Sequence, residues 1–93
     1  MKVEVRLFAN LRELAGQRAV VEETHSGVSV EVLQKICERF GAKFRQQIMD
    51  KRGQPNENVK VLLNGHNIVF LNGTETRLKD GDVIAIFPPV GGG

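Results

Sequence analysis

Leu33, Ile36, Cys37 and Phe40 recur at helical spacing, and this single apolar stripe does most to narrow what the chain can become. One amphipathic helix cannot bury such a stripe alone; it needs a sheet to lie across. Period-two alternation on either side supplies that sheet. Val3, Val5 and Leu7 alternate with Lys2, Glu4 and Arg6, and the same alternation sends Phe8 outward with the charges. Residues 18–23, with Val20 and Val21, read as a second strand, so residues 2–23 form a hairpin with a wide connection. Within that connection Leu11-Arg12-Glu13-Leu14-Ala15 is a helical turn stopped by Gly16.

Ser29 is suited to cap the main helix with Glu31 in its first turn, and Gly41 ends it. Phe44 and Ile48 predict a second short helix over residues 42–50, followed by a polar loop over 51–58. Three strands complete the pattern: residues 59–63, 68–71 and 83–87. Between them stand turns at Asn64-Gly65, Asn72-Gly73 and Lys79-Asp80-Gly81-Asp82. The order β-β-α-(α)-β-β-β predicts an α+β chain of β-grasp, or ubiquitin-like, architecture: a mixed sheet with one main helix across one face.

The compact domain is expected over residues 1–87 and a reactive tail over 88–93. Pro88 and Pro89 cannot donate to a ladder, so strand pairing should end at Phe87. Folding stability gives no reason to collect Gly91, Gly92 and Gly93, because glycine loses the most conformational entropy on ordering. A thin, flexible tail is expected instead, able to enter a channel too narrow for any Cβ. Six extended residues from Pro88 reach roughly 20 Å. That geometry suits delivery of a terminal carboxylate on Gly93 into another protein's active site.

Ninety-three residues suffice for one domain with a modest core. Thirteen basic against eleven acidic residues leave a net charge of +2, too weak a bias to argue for nucleic acid or membrane. Basic runs interleaved with aromatics are absent, there is no Trp or Tyr to stack on bases, and no apolar stretch approaches a membrane span. The N-terminus alternates as a strand does and does not read as a signal peptide, and one cysteine excludes an internal disulfide; a cytoplasmic location is expected.

Phe8-Ala9-Asn10-Leu11-Arg12-Glu13-Leu14-Ala15-Gly16, then Leu78-Lys79-Asp80-Gly81-Asp82, then Phe87-Pro88-Pro89-Val90 and a terminal Gly-Gly resemble the small subunit of molybdopterin synthase. The thiamine sulfur carrier and the archaeal ubiquitin-like small modifiers share much of this pattern. The thiamine carrier is usually shorter and lacks the segment near residues 42–57. Gly91 departs from the family only in being a third glycine. The resemblance implies that an E1-like adenylating enzyme uses ATP to activate Gly93 and that sulfur then replaces one oxygen, giving a thiocarboxylate. In the synthase that group donates sulfur to a pterin precursor in the large subunit; in the modifiers the same activation ends in an isopeptide bond to a lysine of a target protein. The chain itself is then a sulfur carrier and co-substrate, not an enzyme.

The side chains offer no rival chemistry. The sequence has no G-x-x-x-x-G-K-[ST] loop and no G-x-G-x-x-G, so no nucleotide or other cofactor is expected to bind. Cys37 lies on the apolar stripe and reads as a core residue. His25 and His66 sit in separate turns without partners at ligand spacing, so no metal site is expected. Asp80 and Asp82 flank a turn, and Arg12 and Glu13 are read as a solvated turn or a partner contact. The expected docking surface is apolar: outward Phe8, outward Phe87 beside the tail, and Leu62 between inward Val61 and Leu63. A plain ubiquitin-like binding module with an incidental tail is the remaining alternative.

Overall fold

The computed structural model describes residues 1–89. Lys2–Leu7 (β1) and Ala19–Glu23 (β2) pair antiparallel. Lys60–Leu63 (β3), His66–Asn67 (β4) and Val83–Phe87 (β5) complete a five-stranded sheet in the order β2-β1-β5-β3-β4. Only the central β1–β5 pair is parallel, so the sheet is mixed, as the element order predicts. Three helices, Asn10–Ala15 (α1), Ser29–Phe40 (α2) and Ala42–Ile48 (α3), bury their apolar sides with one face of the sheet. This is the β-grasp arrangement.

The alternation in the strands sets which face is dry. Val3, Val5, Leu7, Ile84, Ile86, Val61 and Leu63 point inward and are at most 8% exposed. They meet Val32, Leu33, Ile36 and Cys37 of α2, with Phe44 and Ile48 of α3 and Leu11 of α1 closing the end. Each such side chain contributes about 1.5–3 kcal/mol by leaving water. Phe40, expected on the stripe, is half-buried and lies against Phe44 with ring centroids 5.1 Å apart. No helix among the described residues is long and apolar enough to cross a membrane.

The wide connection from β1 to β2 has a defined start and stop. Ala9 takes φ 52°, a left-handed conformation that costs an L-residue on the order of 1–3 kcal/mol, and this swings the chain from β1 into α1. Gly16 ends α1 at φ 72°, its N–H donating to Arg12 O at 2.8 Å.

Two expectations are corrected. Ser29 does not cap α2: Val28 takes the cap position, and Ser29, as the first helical residue, donates its hydroxyl to Thr74 O at 3.0 Å. The hydroxyl goes to the short 3-10 turn Gly73–Glu75 because that turn presents carbonyls to a fully buried serine. The apolar run 68–71 is not a strand. β4 stops at Asn67, whose side-chain oxygen accepts from Val69 N at 3.0 Å and captures Ile68–Phe70 into a 3-10 turn. A short apolar run cannot be assigned to strand or turn by periodicity alone, and here a local side-chain bond decides it.

Glu31, in the first turn of α2, ties the loop that precedes the helix to it. Its carboxylate accepts from the Ser26 hydroxyl at 2.6 Å, Ser26 N at 2.8 Å, His25 N at 3.1 Å and the Thr24 hydroxyl. The Ser26 hydroxyl foremost, then the Thr24 hydroxyl and the Ser26 amide, holds the carboxyl well below its ordinary value of 4.5. Asp50, accepting from Gln54 N and Arg52 N, is shifted the same way, with the backbone N–H of Gln54 as the leading cause. A carboxyl lowered by folding stabilises the fold above its unfolded value and loses that contribution as pH falls. Glu31→Gln is therefore expected to unfold at lower urea than the parent at pH 7, with the two midpoints beginning to converge as pH falls below about 4.5 and meeting only well below it, where folded Glu31 also protonates. Equal midpoints at pH 7 would mean that the network contributes nothing.

Candidate functional site at the root of the tail

Parallel pairing of Leu7 with Ile86 brings the ends of β1 and β5 side by side. Phe8 and Phe87, the residues after each, stack with ring centroids 4.3 Å apart and planes 14° from parallel. The Arg12 guanidinium lies over the outer side of this pair, 4.9 Å from the Phe8 centroid, its Nε donating to Leu7 O at 2.7 Å. Such a cation over a ring attracts by about 0.5–1 kcal/mol at a partly exposed site. The positive-φ step at Ala9 is what lets α1 fold back far enough to place it.

Leu62 pairs with Ala85 and Lys60 with Phe87, so Leu62 sits diagonally from Phe87 on the same outer face, a separation long side chains can bridge. The sheet's outer face is open: none of the outward residues of β1, β3 and β5 is buried, while the inward residues of these strands all are. The structure thus brings Phe8 and Phe87 together, places Leu62 beside them, and rims the platform with Arg12 and exposed Lys60.

Pro88 is buried and Pro89 half-buried, so both stay on the body of the domain at the edge of this platform. Val90, Gly91, Gly92 and Gly93, the rest of the expected tail, lie outside the described residues.

Other reactive groups are committed elsewhere. Cys37 is 2% exposed, and burial foremost pushes its thiol up to about 11, the opposite of what a nucleophile needs. Asp80 accepts from Lys2 N at 2.7 Å and Asp82 from Lys79 N at 2.7 Å and Asn64 Nδ2 at 3.0 Å. Asp80 ties the turn before β5 to the start of β1, and Asp82 ties it to the turn between β3 and β4. Sequence reasoning left Arg12 between solvent and partner; its spacing of four from Phe8 was the signal for a ring contact.

A model of the ThiS family matches residues 5–93, and the chain belongs to that family. Small archaeal modifier protein 3 of Haloferax volcanii is 36% identical over 94 residues, covering the whole of both chains. The molybdopterin synthase sulfur carrier subunit of Drosophila melanogaster is 31% identical over 96 residues, covering all of this chain and 92% of that one. The solution structure of small archaeal modifier protein 1 from Methanosarcina acetivorans superposes with a TM-score of 0.83 at 36% identity, covering 99% of this chain and 96% of that one. The chain is thus a ubiquitin-like β-grasp protein of the sulfur-carrier and modifier family.

The platform carries a prediction. Phe8→Ala or Phe87→Ala should weaken partner binding about thirtyfold, as loss of an aromatic anchor does. Each ring is only half-buried, so the stability cost should stay near 1–2 kcal/mol, below the roughly 3–5 of a core phenylalanine. Calorimetric titration with thermal melts of the same samples separates the two effects. A large drop in melting temperature for both would make them core residues.

Proposed function

We propose that this protein is a cytoplasmic sulfur carrier whose reactive group is the carboxylate of Gly93. An E1-like adenylating enzyme joins that carboxylate to AMP, releasing pyrophosphate from ATP. A sulfide equivalent then displaces AMP and leaves a thiocarboxylate. The carrier acts as the small subunit of molybdopterin synthase, the large subunit catalysing transfer of the sulfur to its pterin substrate and returning the carboxylate. The observation that carries this reading is the open Phe8–Phe87 platform at the foot of a glycine tail, in a chain of this family. A carboxylate with a pKa near ~3.5 is an anion at neutral pH and a poor electrophile, so activation by a separate enzyme is required. The platform gives that enzyme something to hold while the tail enters its site. With Pro88 and Pro89 seated on the body, the four residues beyond them extend at most ~14 Å.

The second reading is a modifier joined through Gly93 to lysines of target proteins, favoured by the 36% identity to a small archaeal modifier protein. Both share the adenylate and diverge at the nucleophile. Intact mass of the purified chain, before and after incubation with the adenylating enzyme, ATP, magnesium and sulfide, tests the first step. Replacement of one oxygen by sulfur is the expected shift. No shift with a competent enzyme would overturn the carrier reading, and Gly93 found in isopeptide linkage on unrelated proteins would establish the modifier.

A further inference from the structure

Val69, Phe70 and Leu71 are 72%, 83% and 45% exposed, the one contiguous run of exposed large apolar side chains among the described residues. The turn that carries them is built to hold them out. Ile68 is buried at 5% exposure and anchors it, Asn67 Oδ1 accepts from Val69 N, and Leu71 N donates to Ile68 O at 2.9 Å. Folding gains little from a phenyl ring left in water, so the run has another use.

Its position says which. β4 and β5 both run antiparallel to β3, and therefore point the same way. The turn follows β4 as Pro88 and Pro89 follow β5. Ala85, Leu62 and Asn67 lie in one row across the sheet; beyond that row lie Phe87 at the end of β5 and Lys60 at the start of β3, and the chain after Asn67 leaves the sheet into the turn. Adjacent strands are ~4.8 Å apart, so the turn that carries the exposed run starts about 10 Å from β5, at the end of the sheet where the tail begins. Lys60, exposed, lies between the two apolar points. On the turn's inner side a cavity of about 440 Å³, lined by Pro55, Val59, Ile68 and Val69 among others, leaves the run projecting from a hollow.

A second copy of the chain is a poor occupant for this surface. A covered phenyl ring buries about 150–250 Å². Even with its two neighbours the run falls well short of the roughly 800 Å² a side that a stable pair needs. It suffices as one anchor of a wider contact that already holds the tail root.

We propose that Val69-Phe70-Leu71 is a second anchor for the enzyme that adenylates Gly93. The matching face of that enzyme is apolar at two points, over the Phe8–Phe87 platform and around Phe70, and acidic between them, opposite Lys60. This rests on the carrier reading. Adenylation is the step common to carrier and modifier fates, which assigns the anchor to that enzyme and not to a later acceptor.

The test is pyrophosphate exchange by the adenylating enzyme at varied carrier concentration. Wild-type chain is compared with Phe70→Ser, Phe70→Leu, Lys60→Glu and Phe87→Ala, each also melted thermally. Phe70→Ser is expected to raise KM for the carrier about tenfold with kcat and melting temperature unchanged, and Phe70→Leu to recover most of it. Lys60→Glu is expected to raise KM as well, less so at high salt. An unchanged KM for Phe70→Ser alongside a raised one for Phe87→Ala would overturn the second anchor and leave the carrier reading standing. No exchange with the wild-type chain would overturn both. A wild-type dimer in sedimentation that Phe70→Ser dissolves would overturn the proposal in favour of self-association.

Discussion

The chain lacking Gly93 is expected to show no mass shift at all on incubation with the activating enzyme, while melting at the parent's temperature. One residue shortens the reach by ~3.3–3.6 Å. A reacting atom misplaced by only 1 Å can cost about a hundredfold in rate, so a displacement three times larger takes the reaction below detection. Folding is indifferent to the deletion because glycine has no side chain to bury. Gly93→Ala keeps the reach but adds a Cβ where the proposed channel admits none, and is expected to lose most of the activity. The pairing of intact mass with a thermal melt keeps loss of chemistry apart from loss of fold. Modification of the shortened chain at the parent's rate would move the reactive group off Gly93 altogether.

The fold was largely legible because its signals are local and redundant. Val3, Val5 and Leu7 against Lys2, Glu4 and Arg6 give both the strand and its buried face, and the pairing of Leu7 with Ile86 follows that register. Phe8, Phe87 and Leu62 face outward as the alternation predicts, since a period of two leaves no freedom once the inward face is fixed. What the sequence left open depends on contacts across long separations. Ser29 turns to carbonyls 44 and 45 residues away, which no capping rule could foresee. Glu31 reaches back past Val28 to the Ser26 amide and the Ser26 and Thr24 hydroxyls, bracing the loop before the helix, a contact that helical periodicity does not encode. The exposed run 69–71 was hidden for the opposite reason: apolar residues read as strand until Asn67 is seen to end the ladder. The sealing of the β2 edge is likewise tertiary. Thr24 N donates to Met1 O and Leu7 N to Arg18 O, so Val21 and Glu23 turn their carbonyls outward, and Arg39 and Lys35 of α2 donate to them at 3.4 and 2.8 Å. With that edge capped, strand addition there is blocked, and recognition is left to the outer face and the tail end.

Phe44→Ala should be the most destabilising single substitution short of breaking the chain. Phe44 is 0% exposed and belongs to α3, which packs on both α1 and α2 at the end of the sheet where the tail leaves. Truncating a buried phenylalanine costs about 3–5 kcal/mol, the transfer of the ring plus the cavity it leaves. At the middle of the usual range of roughly 5–15 kcal/mol, that figure is about a third to a half of the whole stability. The melting temperature should fall by about 15–30 °C, and Phe44→Leu should recover more than half of the loss. Leu11 and Arg12 share α1, so loosening the α1–α3 contact also frees the guanidinium from Phe8. The carrier should therefore lose activity at temperatures below its own melting point, where Phe70→Ser would still melt as the parent does. If Phe44→Ala melted within a few degrees of the parent, α3 would be an ornament on the sheet, and the tail end would owe its shape to the Pro88 side chain and the strands alone.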